Sequence, residues 1–334
     1  MKKYIIVFFF SVLTLSIWAV DKPNVVVTTT IIADITQQIA GDKITITSLV
    51  PVGGDPHLYE PIPQDAIVIS KANLILKNGL TLEGWLNEFI ENSGPKATAI
   101  TVTEGIESIL CSCYANSPDP HAWMDAENGV VYAENIKNAL VKLDESHAAE
   151  YEANFEDYKK ELIETEVIIK NLIDSIPIEK RVLITSHDAF QYYGRKYGLQ
   201  LESILGTSTD AEAQTSDINR LYSVIKKSGV PAIFIESTIN PRTIQQIAKD
   251  TKVKIGGKLY ADSLGEPESE GGTYIGMLVA NTRNISNALR GITNEASKET
   301  VSEKNSSRTN WIFIIIIATL LIGGAGFMFK KMSN

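Results

Sequence analysis

The tripeptide Asp-Pro-His occurs twice, as Asp55-Pro56-His57 and Asp119-Pro120-His121, in a chain with only four histidines. Neutral imidazole is the commonest side-chain ligand for transition metals. Pro56 and Pro120 each fix their own φ and keep the preceding aspartate out of the helical region. Each histidine is therefore entered along a stiff, extended segment, which holds a ligand ready before its ion arrives. A third histidine, His187, follows directly on the run "RVLITS", and Asp262 follows "VKIGGKLY". Three imidazoles and one carboxylate form a donor set for a divalent cation. The nitrogens suit Zn2+, Fe2+, Mn2+ and Ni2+, and the aspartate oxygens lean towards the harder ions. Such ligands need neighbours that fix their tautomer and orientation. Glu236, in "AIFIES", is the candidate for that task, with a surface or helix-capping acid as the alternative. His147, in "DESHAAEYE", falls in a polar helical pattern and reads as solvated.

Ligands drawn from so wide a span of chain need a scaffold to bring them together. At 334 residues the chain exceeds a single domain core, so two lobes are expected. "NVVVTTTII", "ITITSLV", "NLILKN" and "ATAITVT" read as strands, alternating with helical patterns at "ADITQQIAG", residues 63–71 and "LEGWLNEFIENSG". A second set opens at "RVLITS" and runs through "DAFQYYGRKYG", "LQLESIL", a helix near 215–227, "AIFIES", "PRTIQQIAKDT", "VKIGGKLY" and "TYIGMLVANTRNISNALRG". This repetition predicts an α/β fold in which each lobe, 22–145 and 177–291, holds a parallel sheet flanked by helices. Residues 126–175, rich in Glu, Lys and Leu, predict a long helix, set at 146–176, that joins the lobes as a strut. The other reading of that stretch is two packed helices with a break near Ser146. In open parallel sheets the ligand crevice lies beyond the carboxyl ends of the strands. His57, His187 and Asp262 each follow a strand, and His121 follows the strand at 97–103 through a longer loop. The four thus fall at equivalent places, two from each half.

The chain ends speak of a membrane. "MKKYIIVFFFSVLTLSIWAVDKPN" has two lysines, an apolar run and small Ala19, the outline of a secretory signal peptide over 1–20. Ile17 occupies a position where cleavage favours a small residue, so an uncleaved anchor is the alternative. The two cysteines are Cys111 and Cys113, so none follows the apolar run to accept a lipid. Residues 292–310 are polar, without apolar period, and read as a flexible stalk. Trp311–Phe329 carries no charge, and nineteen helical residues nearly span a hydrocarbon core of about 30 Å. Lys330 and Lys331 then place the tail in the cytoplasm and the bulk of the chain outside. Cys-x-Cys closes only a tiny loop; it reads as a strained disulfide, two thiols or an auxiliary soft-metal site. Lys plus Arg number 31 against 40 acids, and a net charge of −9 argues against nucleic acid as a partner.

Five separated motifs, "GGDPHLYEP", "DPHAWMD", "VLITSHDAFQYYGRKYGL", "FIES" and "LYADSLG", run in order between about residues 24 and 291. In these the chain resembles the metal-receptor family of ABC importers, the zinc/manganese solute-binding proteins. His at the third ligand position resembles the treponemal-type and zinc-type receptors more than manganese receptors, which have Glu there. The long His-rich loop of many zinc receptors is not present before His121. The resemblance implies two α/β lobes joined by one long helix, with a metal held between them by His57, His121, His187 and Asp262. It implies a cargo of Zn2+ or Mn2+, with Fe2+ as a third candidate, passed to an ABC membrane permease. A monomeric receptor on the extracytoplasmic face is expected.

Other functions fit parts of this pattern. A metallohydrolase needs an open coordination position and a nearby general base, and the chain has no His-Glu-x-x-His or paired-carboxylate motif. No catalytic residue is therefore assigned. A surface adhesin or structural protein stabilised by its metal would also suit a stalk and an anchor.

Overall fold

The computed structural model describes residues 22–94, 97–111 and 117–292. The segment 1–20, the stalk beyond Ile292 and the apolar run 311–329 lie outside the described residues, as do Cys113 and the side chain of Cys111. Among the described residues no helix is long and apolar enough to cross a membrane.

The first half comprises β1 (Asn24–Val27), α1 (Thr30–Ala40), β2 (Thr45–Ser48), α2 (Pro63–Ser70), β3 (Leu74–Lys77), α3 (Leu86–Ser93) and β4 (Thr98–Thr101). Its strands are all parallel, in the order β2-β1-β3-β4. Val25, Val27, Leu74 and Leu76 enter one core, and Val26 and Ile75 enter another on the opposite face. β1 and β3 are buried on both faces, which is why they read as nearly unbroken apolar runs. The strand expected over 24–32 stops at Val27. Thr29 turns the chain, and its hydroxyl accepts from Ile32 N at 3.3 Å to cap α1. Threonine favours strands, but here its capping oxygen decides.

A short antiparallel pair, β5 (Leu110–Cys111) and β6 (Ser117–Pro118), leads to His121. Two helices follow, α4 (Ala126–Leu143) and α5 (Ala148–Asp174). The stretch 126–175 is thus two packed helices, and the strut begins at Ala148 rather than 146. Asp144 makes the break. Its carboxylate accepts from Ser146 Oγ at 2.5 Å, His147 Nδ1 at 2.6 Å and Tyr151 Oη at 2.9 Å. Burial opposes its ionisation, but these three bonds outweigh it and hold the carboxyl down at about 2. His147 is spent at this corner, with its side chain 41% exposed, far from the role of a ligand.

The second half comprises β7 (Val182–Thr185), α6 (Gln191–Tyr197), β8 (Gln200–Ser203), α7 (Thr215–Ser228), β9 (Ala232–Glu236), α8 (Arg242–Thr251), β10 (Lys254–Leu259) and α9 (Tyr274–Arg290). The strands of this half are parallel and flanked by helices, as expected. The ladder is split into two parallel pairs, β7–β8 and β9–β10. β7 and β9 lie side by side. At their carboxyl ends the Glu236 side chain accepts the Ser186 and His187 N–H groups, at 2.6 and 2.9 Å, where strand carbonyls would otherwise stand.

One core joins the halves. It runs from Val25 and Ile31 through Tyr132, Tyr151 and Phe155 to Leu183, Phe234 and Leu289. α5, about 40 Å long at 1.5 Å per residue, packs on α1 in the first half and α9 in the second. A smaller core, including Val182, Ile184, Leu221 and Ile233, lies on the other face of β7 and β9. The halves therefore cannot swing freely, because separating them would expose buried aromatic surface.

Gly129 of α4 marks a close approach to α9. A Cβ there would lie 2.7 Å from Tyr274 Oη, at the start of α9. That hydroxyl donates to Trp123 O at 2.6 Å, and Trp123 Nε1 donates to Ala261 O at 2.9 Å. Gly129→Val is expected to cost about 1–3 kcal/mol through overpacking. Urea unfolding would show a lower midpoint at unchanged slope. A wild-type midpoint would mean that Tyr274 can yield.

Candidate metal centre

The His57 loop leaves β2 through Gly53 and Gly54. Gly53 has φ +76°, and a Cβ on Gly54 would meet Val50 Cγ1 at 2.8 Å, so both positions need glycine. The two Asp-Pro-His segments then fold alike. Asp55 Oδ1 accepts from His57 N, and Asp119 Oδ1 from His121 N, each at 2.9 Å. Each aspartate closes a turn over its proline onto the histidine backbone. The proline carbonyls are pinned as well, Pro56 O by Trp85 Nε1 at 3.1 Å and Pro120 O by Asn78 Nδ2 at 3.0 Å. This is the physical content of the repeated tripeptide: a turn that fixes where an imidazole stands.

The remaining carboxylate contacts differ between the two. Asp119 Oδ1 also accepts from His121 Nδ1 at 2.7 Å. That bond puts the ring proton on Nδ1 and leaves the Nε2 lone pair facing the site. Asp55 instead turns its Oδ2 outward to Thr209 Oγ1, at 2.6 Å.

His187 stands just past β7. Its backbone is held by Glu236 Oε1, and its Nδ1 lies 2.5 Å from Glu236 Oε2, too far off the N–H axis for a hydrogen bond and so chiefly an ionic contact. Glu236 therefore occupies the orienting position expected from the sequence. Asp262 follows β10, and its Oδ2 accepts from Thr238 Oγ1 at 3.2 Å.

The four side chains converge. His121 Nε2 lies 3.3 Å from His57 Nε2, 3.3 Å from His187 Nε2 and 3.3 Å from Asp262 Oδ1. Asp262 Oδ2 is 3.4 Å from His187 Nε2. All four residues offer atoms within 4.8 Å of one another. Metal–nitrogen bonds of about 2.0–2.1 Å in a tetrahedron put neighbouring ligands about 3.3–3.4 Å apart, so the spacing fits one ion. His121, His187 and Asp262 are fully buried, while His57 is half-buried. Asp262 Oδ1 has no hydrogen-bond donor among the described residues. A buried carboxylate oxygen without a donor is costly, and a cation between it and the imidazoles removes that cost.

The charges are tightly balanced. Burial, reinforced by positive charge on His121 and His187, pushes the His57 imidazole down to about 3, against the pull of Asp262 and Asp210. It is neutral and free to donate a lone pair. Burial works against protonation of His121 too, but Asp119 and Asp262 outweigh it and raise the ring to about 9. Glu236 and Asp262 raise His187 in the same way. Burial opposes ionisation of Asp262, and the two rings overcome it and hold the carboxyl well below its usual range. A divalent ion would replace the protons on these rings.

Sequence reasoning singled out all four converging residues and Glu236. It missed Asp55, Asp119 and Thr238. The repeated tripeptide was the signal for the two aspartates, since the residue before each proline recurs as faithfully as the histidine after it. Thr238 left no signal.

A family model described as zinc-uptake complex component A, periplasmic, matches residues 25–288. The manganese ABC transporter substrate-binding lipoprotein scaA of Streptococcus gordonii is 37% identical over 277 residues, covering 80% of this chain and 89% of that protein. The corresponding lipoprotein PsaA of Streptococcus pneumoniae is 35% identical over the same length and shares. Among solved structures, the periplasmic zinc binding protein TroA of Treponema pallidum superposes with a TM-score of 0.77 at 33% identity, over 80% of this chain and 99% of that one. The Mn-bound periplasmic metal binding protein of candidatus Liberibacter asiaticus gives 0.74 at 35% identity, over 80% and 100%.

Asp119→Asn and Glu236→Gln should each weaken Zn2+ binding by about 10–100-fold, the usual effect of losing an orienting partner behind a metal-bound imidazole. Competition against a chromophoric chelator measures it. Affinity within twofold of wild type would mean that a neutral partner orients these rings equally well.

Proposed function

This chain belongs to the zinc-uptake component A family, the metal-binding receptors of ABC importers, and on that premise we propose that it captures its ion on His57, His121, His187 and Asp262. It is a receptor and not an enzyme. Its cargo is a divalent metal, Zn2+ or Mn2+, taken up outside the cytoplasm and delivered to a membrane permease. The observation that carries the choice of ligands is the meeting of three imidazole nitrogens and a carboxylate, one of whose oxygens has no donor among the described residues, at one point. Four protein ligands leave little room for the bound water that hydrolysis requires. A nitrogen-rich donor set takes Zn2+ ahead of Mn2+ in a test tube whatever the cell imports, so uptake rather than affinity names the cargo.

The finer reading of location rests on sequence. We propose that Trp311–Phe329 crosses the membrane, that 292–310 is a stalk, and that the segment 1–20 directs export. The curated relatives above are lipoproteins by name. This chain has no cysteine near its amino terminus to carry a lipid, and the carboxyl-terminal span supplies the anchor instead. The two halves are lobes hinged little by α5 and its shared core, so release of the ion depends on loops at the cleft and on docking. The receptor works as a monomer.

Two outcomes test this. In cells, His57→Ala should reduce accumulation of the physiological metal to the level of a strain without the receptor. Uptake unaffected by the substitution would favour a structural or adhesive role. Truncation before Trp311 should release the protein from the membrane fraction, and retention there would remove the proposed anchor.

A further inference from the structure

Of the four converging residues only His57 is half-buried, and a cavity of about 320 Å3 opens directly over it. Its walls include Thr81 and Ser117 from the first half and Thr207, Ser208 and Asp210 from the second. The last three belong to the segment between β8 and α7, which crosses from the second half to lie against the His57 loop. Thr209 Oγ1 donates to Asp55 Oδ2 there, at 2.6 Å. The same Asp55 uses Oδ1 to hold the backbone of His57. A single carboxylate therefore couples the placement of one imidazole to the position of a segment that arrives from the other side of the cleft.

Besides the Trp85 bond to Pro56 O, the loop has a further fastening, deeper in. Gly53 N donates to Ser263 Oγ at 2.8 Å, beside Asp262. Ser263 is buried, whereas Thr209 and Asp55 are partly open to solvent. His121 and His187 carry no such fastening at the mouth; they are sealed within the core. Of the described loops that bear a ligand, the His57 loop is the one that can move without opening the shared core.

We propose that this cavity is the passage for the ion and that Thr209, acting through Asp55, is the positioning residue that keeps it shut once the ion is bound. Breaking the Thr209–Asp55 bond loosens the crossing segment's hold on the turn that seats His57. The ion then leaves faster. The four ligand groups themselves are untouched. This inference rests on the metal-binding reading above and assigns that site its way in and out.

The test is the rate of Zn2+ release from the full chain in detergent into excess EDTA, followed by stopped flow. Thr209→Val removes the donor while keeping the shape, and should accelerate release at least fivefold. Thr209→Ser restores a hydroxyl and should return the rate to near wild type. The visible spectrum of the Co2+-loaded Val variant should match that of the wild type, since no ligand has been touched; a general loss of packing would alter it. Release from the Val variant within twofold of wild type would overturn the proposal, as would a changed Co2+ spectrum or failure of the Ser variant to rescue. Wild-type protein that binds no Zn2+ at all would instead overturn the ligand assignment itself, which keeps the two failures apart.

Discussion

Asp262 Oδ1 is a buried carboxylate oxygen with no hydrogen-bond donor among the described residues, 3.3 Å from an imidazole nitrogen. An arrangement of this kind survives only if the rest of the fold holds it against relaxation. Left free, His121 and Asp262 would rotate towards water or towards better partners. They cannot, because each is bound from behind. Asp119 holds His121, Glu236 holds the backbone of His187, and Thr238 holds Asp262. The strong interactions all lie one layer out from the converging atoms, and the inward-facing positions are left short of partners. Much of the fold serves that imbalance.

The shared core enforces it at longer range. Trp123, two residues beyond His121, donates to Ala261, one residue before Asp262. Leu264 N donates to Thr30 Oγ1, so the Asp262 loop is tied to the first turn of α1 in the opposite half. The seam between the halves is thus crossed by buried hydrogen bonds beside His121 and Asp262. With α5 packed on both α1 and α9, a wide clamshell opening would break many of them at once. The mobility a receptor needs is left to its solvent-side loops.

The converging residues were legible because each carries its own local reason. Proline before His57 and His121 announces a stiff approach, and an apolar run before His187 and Asp262 announces a strand end. Glu236 was legible as a strand-terminal acid. The break at Asp144 was readable only as one of two options, because Asp, Ser and His all occur inside helices. It took Tyr151, a turn further on, to supply the third donor that makes the corner preferable. The split between β7 and β9 was not legible at all. Both strands have the composition of paired central strands, and the Glu236 carboxylate takes the N–H groups of Ser186 and His187 just beyond β7.

Local sequence determined the alternation of strands and helices, the stiff turns before two histidines and the acidic, exported character of the chain. These follow from periodicity, proline geometry and composition, which act over a few residues. Tertiary structure alone decided that Asp119 serves His121, that Asp55 reaches across to Thr209, and that His57, His121, His187 and Asp262 converge on one point. Those facts depend on which surfaces meet when the halves pack on α5, and nothing within a short stretch of chain encodes the orientation of a side chain towards a partner 154 residues away.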